Sequence, residues 1–196
     1  RATSLTDFAT ASGSNYIPRV TSAIWYPTMV LVPGATPALN VWYMFGPGSS
    51  GNIVRRAFTG AYPTASNAFG TASSITSLNN GLDVPGDPCI RLNPADNFYY
   101  CVCTDGTVTP TTTLIYKIPA TNIATNGWIN VTTDLWATIG APPWGAAAIV
   151  DPNLVFIDDK VYLTFAASPT AVAGSFSIGM VELVPVTFLA TGLVAQ

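Results

Sequence analysis

Acidic side chains are the first groups in this sequence that could do acid–base chemistry. The 196-residue chain contains no histidine, and its acidic residues are nine aspartates and one glutamate, Glu182. Without an imidazole, Ser-His-Asp, Cys-His and histidine-metal chemistry are excluded. A reaction that needs two carboxyl groups must therefore draw on aspartates. Two of these stand in the same local pattern, Asp87-Pro88 and Asp151-Pro152, 64 residues apart.

Aromatic and amide side chains offer a second kind of chemistry, the recognition of sugars. Trp and Tyr faces stack on the C–H side of sugar rings, while Asn and Arg side chains bond the hydroxyls. Trp144 is the first candidate because it lies in a Pro/Gly-rich loop with few strand neighbours; the alternative is a ring folded back on the core. The predicted ligand-binding residues are Trp144, Asn153, Arg91 and Trp128, and the other aromatic candidates are Trp25, Tyr26 and Trp136.

Three cysteines, Cys89, Cys101 and Cys103, lie in one short stretch of the chain. In a hairpin over residues 87–104, Cys89 would come opposite Cys101, where a disulfide is geometrically possible. The alternative is three buried thiols that act as small hydrophobic groups. A single residue separates Cys101 from Cys103, which is shorter than the usual spacing of zinc ligands. We therefore predict no metal site, and we predict no cofactor.

The composition indicates which elements must position these groups. Charged residues make up only 9% of the chain, against roughly 25% in an average soluble domain. They are replaced by 25 Thr, 16 Gly and 16 Pro residues, a mixture that favours strands and turns. The net charge of −3 argues against nucleic-acid binding, and no apolar run is long enough to span a membrane. The composition therefore predicts an all-β fold.

One pattern of strands and turns occurs three times. The copies open at Pro27, Pro88 and Pro152, which are 61 and 64 residues apart. Each copy predicts three antiparallel strands and a looser fourth, and a four-stranded unit with such a period is typical of a β-propeller blade. The best helical candidates, residues 120–125 and 146–150, are short and flanked by helix-ending residues. The predicted strands are 17–25, 28–32, 39–45, 53–58, 89–92, 98–104, 113–118, 128–131, 154–157, 161–166, 177–184 and 186–189.

The predicted organisation is a polar N-terminal arm, residues 1–15, and a single all-β domain, residues 16–196. The domain contains three blade-like repeats, at about 25–84, 85–148 and 149–196. A jelly roll or β-sandwich is the alternative fold for this composition and number of strands. The chain begins at Arg1 without a leader-like segment, so we expect it to be processed, truncated or part of a longer polypeptide.

Two blade openings resemble those of the five-bladed propeller glycoside hydrolases of the arabinanase and β-xylosidase kind. The residues that carry the resemblance are Asp87-Pro88-Cys89-Ile90, Asn97-Phe98-Tyr99-Tyr100 and the segment 151–163. The resemblance implies an Asp base, a second Asp that tunes pKa and a Glu general acid around a central pocket. Asp87 and Asp151 match the Asp positions and are the predicted catalytic residues. No Glu matches the acid, because Glu182 falls in the middle of the third strand of its copy.

Three blades on their own would leave two apolar flanks in water. We therefore expect copies of this chain, or other chains, to close the ring of sheets. The leading hypothesis is a self-associating, β-propeller-like protein of the extracellular space or a virion surface, with glycan recognition and no catalysis. The first alternative is an arabinan- or xylan-directed glycoside hydrolase, and the second is a structural shell or fibre subunit. Whether the protein is an enzyme stays open at the level of sequence.

Overall fold

The computed structural model describes residues 27–48, 52–61, 69–78, 85–105, 112–132, 134–140, 142, 148–158, 160–170 and 175–183. Within them, eleven strands form three antiparallel sheets. Sheet A contains β1 (Thr28–Val32), β2 (Val41–Pro47), β3 (Ile53–Thr59) and β4 (Ser73–Ser74). Sheet B contains β5 (Pro85–Asn93), β6 (Phe98–Asp105), β7 (Thr112–Pro119) and β8 (Ile129–Thr132). Sheet C contains β9 (Ala148–Ile157), β10 (Lys160–Ser168) and β11 (Ser177–Leu183).

Each sheet is one of the repeats seen in the sequence, so the predicted all-β fold of three blade-like repeats is confirmed. Strands that follow one another in the chain are neighbours within each sheet, with β1, β5 and β9 at one edge. These three first strands also lie side by side, because β5 contacts both β1 and β9. The predicted strands at 17–25 and 186–189, and the arm 1–15, lie outside the described residues.

Sheet B lies between the other two sheets, and its central strands are buried on both faces. Cys101 and Tyr116 pack towards sheet A in one hydrophobic core, which includes Phe45. Tyr100 packs towards sheet C in a second core, which includes Leu163. A strand covered on both faces needs apolar residues at nearly every position, which explains the continuous apolar run of β6. A jelly roll or β-sandwich has two sheets around one core, whereas this chain has three sheets and two cores. The alternative prediction of a sandwich fold is therefore wrong.

The helical expectations need two corrections. A short α-helix, α1 (Leu135–Ile139), was not predicted. Its N-cap is Asp134, whose carboxylate accepts a hydrogen bond from the Ala137 N–H at 3.1 Å, and it ends at Gly140 with a φ of 83°, a backbone angle that favours glycine. Of the predicted candidates, residues 120–125 form only a 3₁₀ turn, Ala120–Asn122, and residues 148–150 belong to β9.

The three cysteines are free and buried, so the alternative of a disulfide between Cys89 and Cys101 is wrong. Cys89 stands opposite Val102, and Cys101 stands opposite Ile90. The side chain of Cys89 faces sheet C, whereas Cys101 and Cys103 face sheet A. The sheet itself therefore separates the two thiols that the hairpin prediction had brought together.

Among the described residues we searched for metal-binding clusters and for helices that could span a membrane. The described residues include no group of three or more His, Cys, Asp or Glu side chains that could hold a metal ion. They include no helix that is long and apolar enough to cross a membrane.

Candidate functional site

Asp87 and Asp151 occupy the same backbone irregularity in neighbouring sheets. The pairing of β5 with β6 shifts register between Gly86 and Cys89, and the pairing of β9 with β10 shifts at the equivalent place. Both aspartates have positive φ, 48° and 52°, which is uncommon for residues other than glycine. A β-bulge re-aims the side chain of its residue and is often found beside functional sites.

The bulges also correct the expected position of the repeated prolines. The predicted strands 89–92 and 154–157 begin after Pro88 and Pro152, but β5 begins at Pro85 and β9 begins at Ala148. Each proline follows the bulged aspartate directly. A missing N–H is tolerated there because the ladder of backbone hydrogen bonds is already interrupted. The strands therefore extend beyond the bulge, and the aspartates lie inside them.

The two aspartates are in contact. The Asp87 carboxylate accepts a hydrogen bond from the backbone N–H of Asp151. Burial raises the pKa of Asp87, the charge of Asp151 raises it further, and the hydrogen bond opposes both effects. The Asp87 side chain is half-buried, whereas Asp151 is exposed. The structure thus brings together the two residues that the sequence predicts as catalytic, at the edge where the first strands of sheets B and C meet.

A second set of contacts between sheets lies two residues further along the same strands. The Cys89 thiol donates to Asn153 Oδ1 at 2.8 Å and accepts from the Leu154 N–H. Burial raises the pKa of this thiol, while the charge of Arg91 and the Leu154 hydrogen bond lower it. Asn153, a predicted ligand-binding residue, therefore lies two residues from Asp151 on β9, and its side-chain oxygen is used within the protein.

The contact between sheets A and B repeats this arrangement. The Ile90 N–H donates to Thr28 Oγ1 at 3.3 Å. Thr28, Cys89 and Asn153 are the residues that follow the three repeated prolines, and we call them the post-proline row. In each sheet-to-sheet contact the row residue of one sheet accepts a hydrogen bond from the first strand of the next sheet.

The remaining predicted ligand-binding residues lie elsewhere. Arg91 is exposed, but four residues of strand separate it from Asp87, which is about 13 Å. Trp128 is only 5% exposed and packs edge-on against Phe45 at 6.3 Å between ring centroids. Its ring offers no face to a ligand, so the structure places it in the core rather than in the site. Trp144, and the other aromatic candidates Trp25 and Tyr26, lie outside the described residues.

The structure places two other residues discussed in the sequence analysis, Trp136 and Glu182, away from the aspartate pair. Trp136 belongs to the core, where its Nε1 donates to Thr113 Oγ1 at 2.8 Å and its ring packs against Phe165. Glu182 lies on β11 and forms an exposed ion pair with Lys160 at 3.2 Å. Strand β11 is two strands from β9, a separation of roughly 10 Å. The Glu182 carboxylate is therefore held away from the aspartate pair.

The post-proline row is the part of the site that sequence reasoning missed. The sequence indicates Cys89 only as a core thiol or a disulfide partner, and it gives no role to Thr28. The available signal was the small polar residue that directly follows the opening proline in every copy. The repeated polar residue is visible only when the three copies are aligned on their prolines. Its role is to join neighbouring sheets, and a single copy gives no indication of that role.

The arrangement of three sheets with their first strands side by side is that of part of a five-bladed β-propeller, and the resemblance to the glycoside hydrolases of this fold is confirmed. The chain is similar to an α-L-arabinofuranosidase from Lactobacillus brevis, with a TM-score of 0.56 and 12% identity, over 95% of this chain and 55% of that one. It is also similar to an endo-1,4-β-xylanase from Bacteroides thetaiotaomicron, with a TM-score of 0.56 and 14% identity, over 91% and 55%. A GH62 hydrolase in complex with xylotriose gives a TM-score of 0.57 and 12% identity, over 82% and 55%.

The chain thus spans about half the length of each of these three structures. At this level of identity the likeness concerns the fold. The sequence matches no protein-family model and no curated protein.

Proposed function

We propose that this chain is a carbohydrate-binding β-propeller unit that recognises arabinose- or xylose-containing glycans at the Asp87–Asp151 pair without hydrolysing them. The observation that carries the proposal is that Asp87 and Asp151 occupy equivalent positive-φ bulges of the neighbouring strands β5 and β9, where the Asp87 carboxylate lies beside the Asp151 backbone N–H. The choice of sugar follows the substrates named for the proteins of similar fold, an arabinofuranosidase and a xylanase.

Carboxylates suit sugar recognition because each oxygen accepts hydrogen bonds from hydroxyl groups, and hydrogen bonds to an ionised acceptor are stronger than neutral ones. Asp151 is exposed and therefore accessible. Asp87 is half-buried and held by a backbone N–H, so little side-chain entropy is lost when it binds. In the proposed complex Asp151 meets the sugar first and Asp87 fixes its orientation.

The absence of hydrolysis is proposed because of the position of the general acid. Glycosidases use two carboxyl groups on opposite sides of the bond to be cleaved, about 5–5.5 Å or 6.5–9.5 Å apart. Glu182 is the only glutamate of the chain, and it is paired with Lys160 on the last strand of sheet C. It is not positioned to donate a proton to a sugar that is bound at Asp151.

Glycoside hydrolysis is the second candidate function, and one observation favours it. The pKa of Asp87 is raised by burial and by the charge of Asp151. Two neighbouring carboxyl groups in different environments are the usual pattern of an acid and base pair. In this alternative Asp87 would donate the proton to the leaving group.

One pair of measurements decides between the two functions. Titration calorimetry with arabino- and xylo-oligosaccharides measures binding, and release of an aryl alcohol from arabinofuranosides and xylosides measures hydrolysis. We expect saturable binding that is lost in Asp87→Asn and Asp151→Asn, with no hydrolysis. Asp158→Asn is the matched control because Asp158 is also a positive-φ aspartate, at 54°, in an exposed turn. Hydrolysis that disappears in Asp87→Asn would instead establish the enzyme.

The proposed location of this protein is the extracellular space or a virion surface. The low charged fraction of 9% supports a place outside the cell or on a virion surface, where a neutral polar surface is common. A shell or fibre subunit without any ligand is the remaining alternative. Shells or filaments in electron micrographs of the purified chain, together with no binding in calorimetry, would favour that alternative over sugar recognition.

A further inference from the structure

The aspartate pair lies where each sheet interrupts its own ladder of backbone hydrogen bonds. In sheet B the pairing of β5 with β6 stops at Gly86 and resumes at Cys89. In sheet C the pairing of β9 with β10 stops at Val150 and resumes at Asn153. The two Asp-Pro dipeptides fall inside these interruptions, so no residue of β6 or β10 stands opposite either aspartate. Something other than the ladder must therefore fix their positions.

Cys89 and Asn153 are the first paired residues after the two interruptions, and they are bonded to each other. The Cys89 thiol donates to Asn153 Oδ1 at 2.8 Å and accepts from the Leu154 N–H. The Asn153 carbonyl accepts from the Thr164 hydroxyl of β10 at 3.4 Å, so Asn153 is also tied to its own sheet. This contact joins β5 and β9 at equivalent places, two residues after each aspartate.

The connection from this contact to the aspartates is short and stiff. Two residues of strand span about 7 Å, and a single buried proline separates each aspartate from the contact. A proline ring fixes its own φ, which leaves the chain little freedom between the contact and the bulge. The Cys89–Asn153 contact therefore sets where Asp87 lies relative to the Asp151 backbone N–H beside it.

We propose that Cys89 and Asn153 are the positioning residues of the carbohydrate site and hold Asp87 beside Asp151 across the contact between sheets B and C. The role in sugar binding rests on the function proposed above, whereas the positioning is a property of the chain alone. Asn153 Oδ1 is occupied by the thiol, so this oxygen supports the site instead of binding the sugar directly. A carboxylate that is already in place loses little conformational entropy on binding.

A carbon-13 NMR titration of the Asp87 carboxyl group tests the positioning without any sugar. Burial and the charge of Asp151 raise the pKa of Asp87 above its ordinary value of 3.8, and together they outweigh the opposing hydrogen bond from the Asp151 N–H. These effects weaken if the two strands move apart, so Cys89→Ala and Asn153→Ala should shift the Asp87 midpoint back towards 3.8. Cys89→Ser retains a donor and an acceptor and should keep the midpoint raised.

Thr113→Val is the matched control for a general loss of stability. The Thr113 hydroxyl accepts from Trp136 Nε1 at 2.8 Å, and Thr113 lies on β7, two strands from β5. This variant should leave the Asp87 midpoint raised. Unchanged midpoints in Cys89→Ala and Asn153→Ala would overturn the proposal, and so would an equal shift in Thr113→Val. Asn153 is only half-buried, so its variant decides the question if circular dichroism shows that Cys89→Ala does not fold.

Calorimetry with xylo- and arabino-oligosaccharides on the same samples tests the link to carbohydrate binding. We expect the affinity to fall roughly 2- to 10-fold in Cys89→Ala and Asn153→Ala, because a carboxylate that is no longer held must be ordered on binding. Cys89→Ser should recover most of the affinity, and Thr113→Val should not change it. A shifted midpoint with unchanged affinity would overturn the role in the carbohydrate site. If the wild type binds no sugar, the proposed function fails, and the NMR titration still decides whether the two residues position Asp87.

Discussion

The carboxylate of Asp87 and the backbone N–H of Asp151 are joined by a hydrogen bond between two neighbouring sheets. Both residues have positive φ and belong to bulges at equivalent places in β5 and β9. The charge of one aspartate therefore acts directly on the other. Burial and this charge raise the pKa of Asp87, and the raised pKa has consequences for stability.

Stability should depend on pH through Asp87. The folded state holds the Asp87 proton more tightly than the unfolded chain, whose ordinary pKa is 3.8. This contribution to stability is present below pH 3.8, and it is lost as the pH rises through the higher folded pKa. Solvent screening keeps the contribution modest, because the side chain is only half-buried. Urea unfolding between pH 3 and 7 should show Asp87→Asn gaining on the wild type as the pH rises. A constant difference would contradict a raised pKa at Asp87.

Removing the thiol of Cys89 should weaken the contact between sheets B and C. Cys89→Ala leaves Asn153 Oδ1 and the Leu154 N–H without their partner, and we expect a loss of about 1–3 kcal/mol in the free energy of unfolding. Cys89→Ser is the control, because its hydroxyl can both donate and accept, and it should lose less. Equal stability of the two variants in urea unfolding would argue against these hydrogen bonds.

The equivalent contact between sheets A and B can be tested at Thr28. Thr28→Val keeps the shape of this buried side chain and removes the oxygen that accepts from the Ile90 N–H. A buried donor without an acceptor costs about 1–3 kcal/mol. Thr28→Ser retains the hydroxyl and should stay closer to the wild type. If Val proves as stable as the wild type in thermal unfolding, the hydrogen bond does not stabilise the contact between the sheets.

All three thiols should be protected from modification while the chain is folded. Cys89 is 9% exposed, and Cys101 and Cys103 are fully buried. A coloured thiol reagent should therefore react slowly with the native protein and titrate three thiols after unfolding in denaturant. A total of one thiol under non-reducing conditions would reveal a disulfide and contradict the structure.

The repeat was predictable because each copy carries the same order of strands and turns. Residues 98–102 form a continuous apolar run, which is typical of a strand buried on both faces, and β6 is such a strand. Helix α1 was missed because five residues are too few for a periodic pattern. Its cap, Asp134, and its terminator, Gly140, are the only local signals.

The candidate site was predictable in its residues and not in its geometry. The pattern Asp-Pro identified Asp87 and Asp151, but a bulge depends on pairing with the neighbouring strand, which no local pattern reports. The burial of Trp128 could not be predicted for the same reason, because the ring that covers it, Phe45, comes from a different sheet. Contacts between sheets decide which polar and aromatic residues face solvent, and those contacts join residues that are far apart in the chain.

The most direct test of the carbohydrate site is an NMR titration that follows backbone amide signals while xylo- or arabino-oligosaccharide is added. We expect a saturable change in the Asp151 amide signal, because that N–H is bound to the Asp87 carboxylate. The change should be absent in Asp87→Asn and retained in Asp158→Asn. An Asp151 amide that does not move at saturating sugar, or saturable changes confined to other parts of the chain, would contradict a carbohydrate site at this pair.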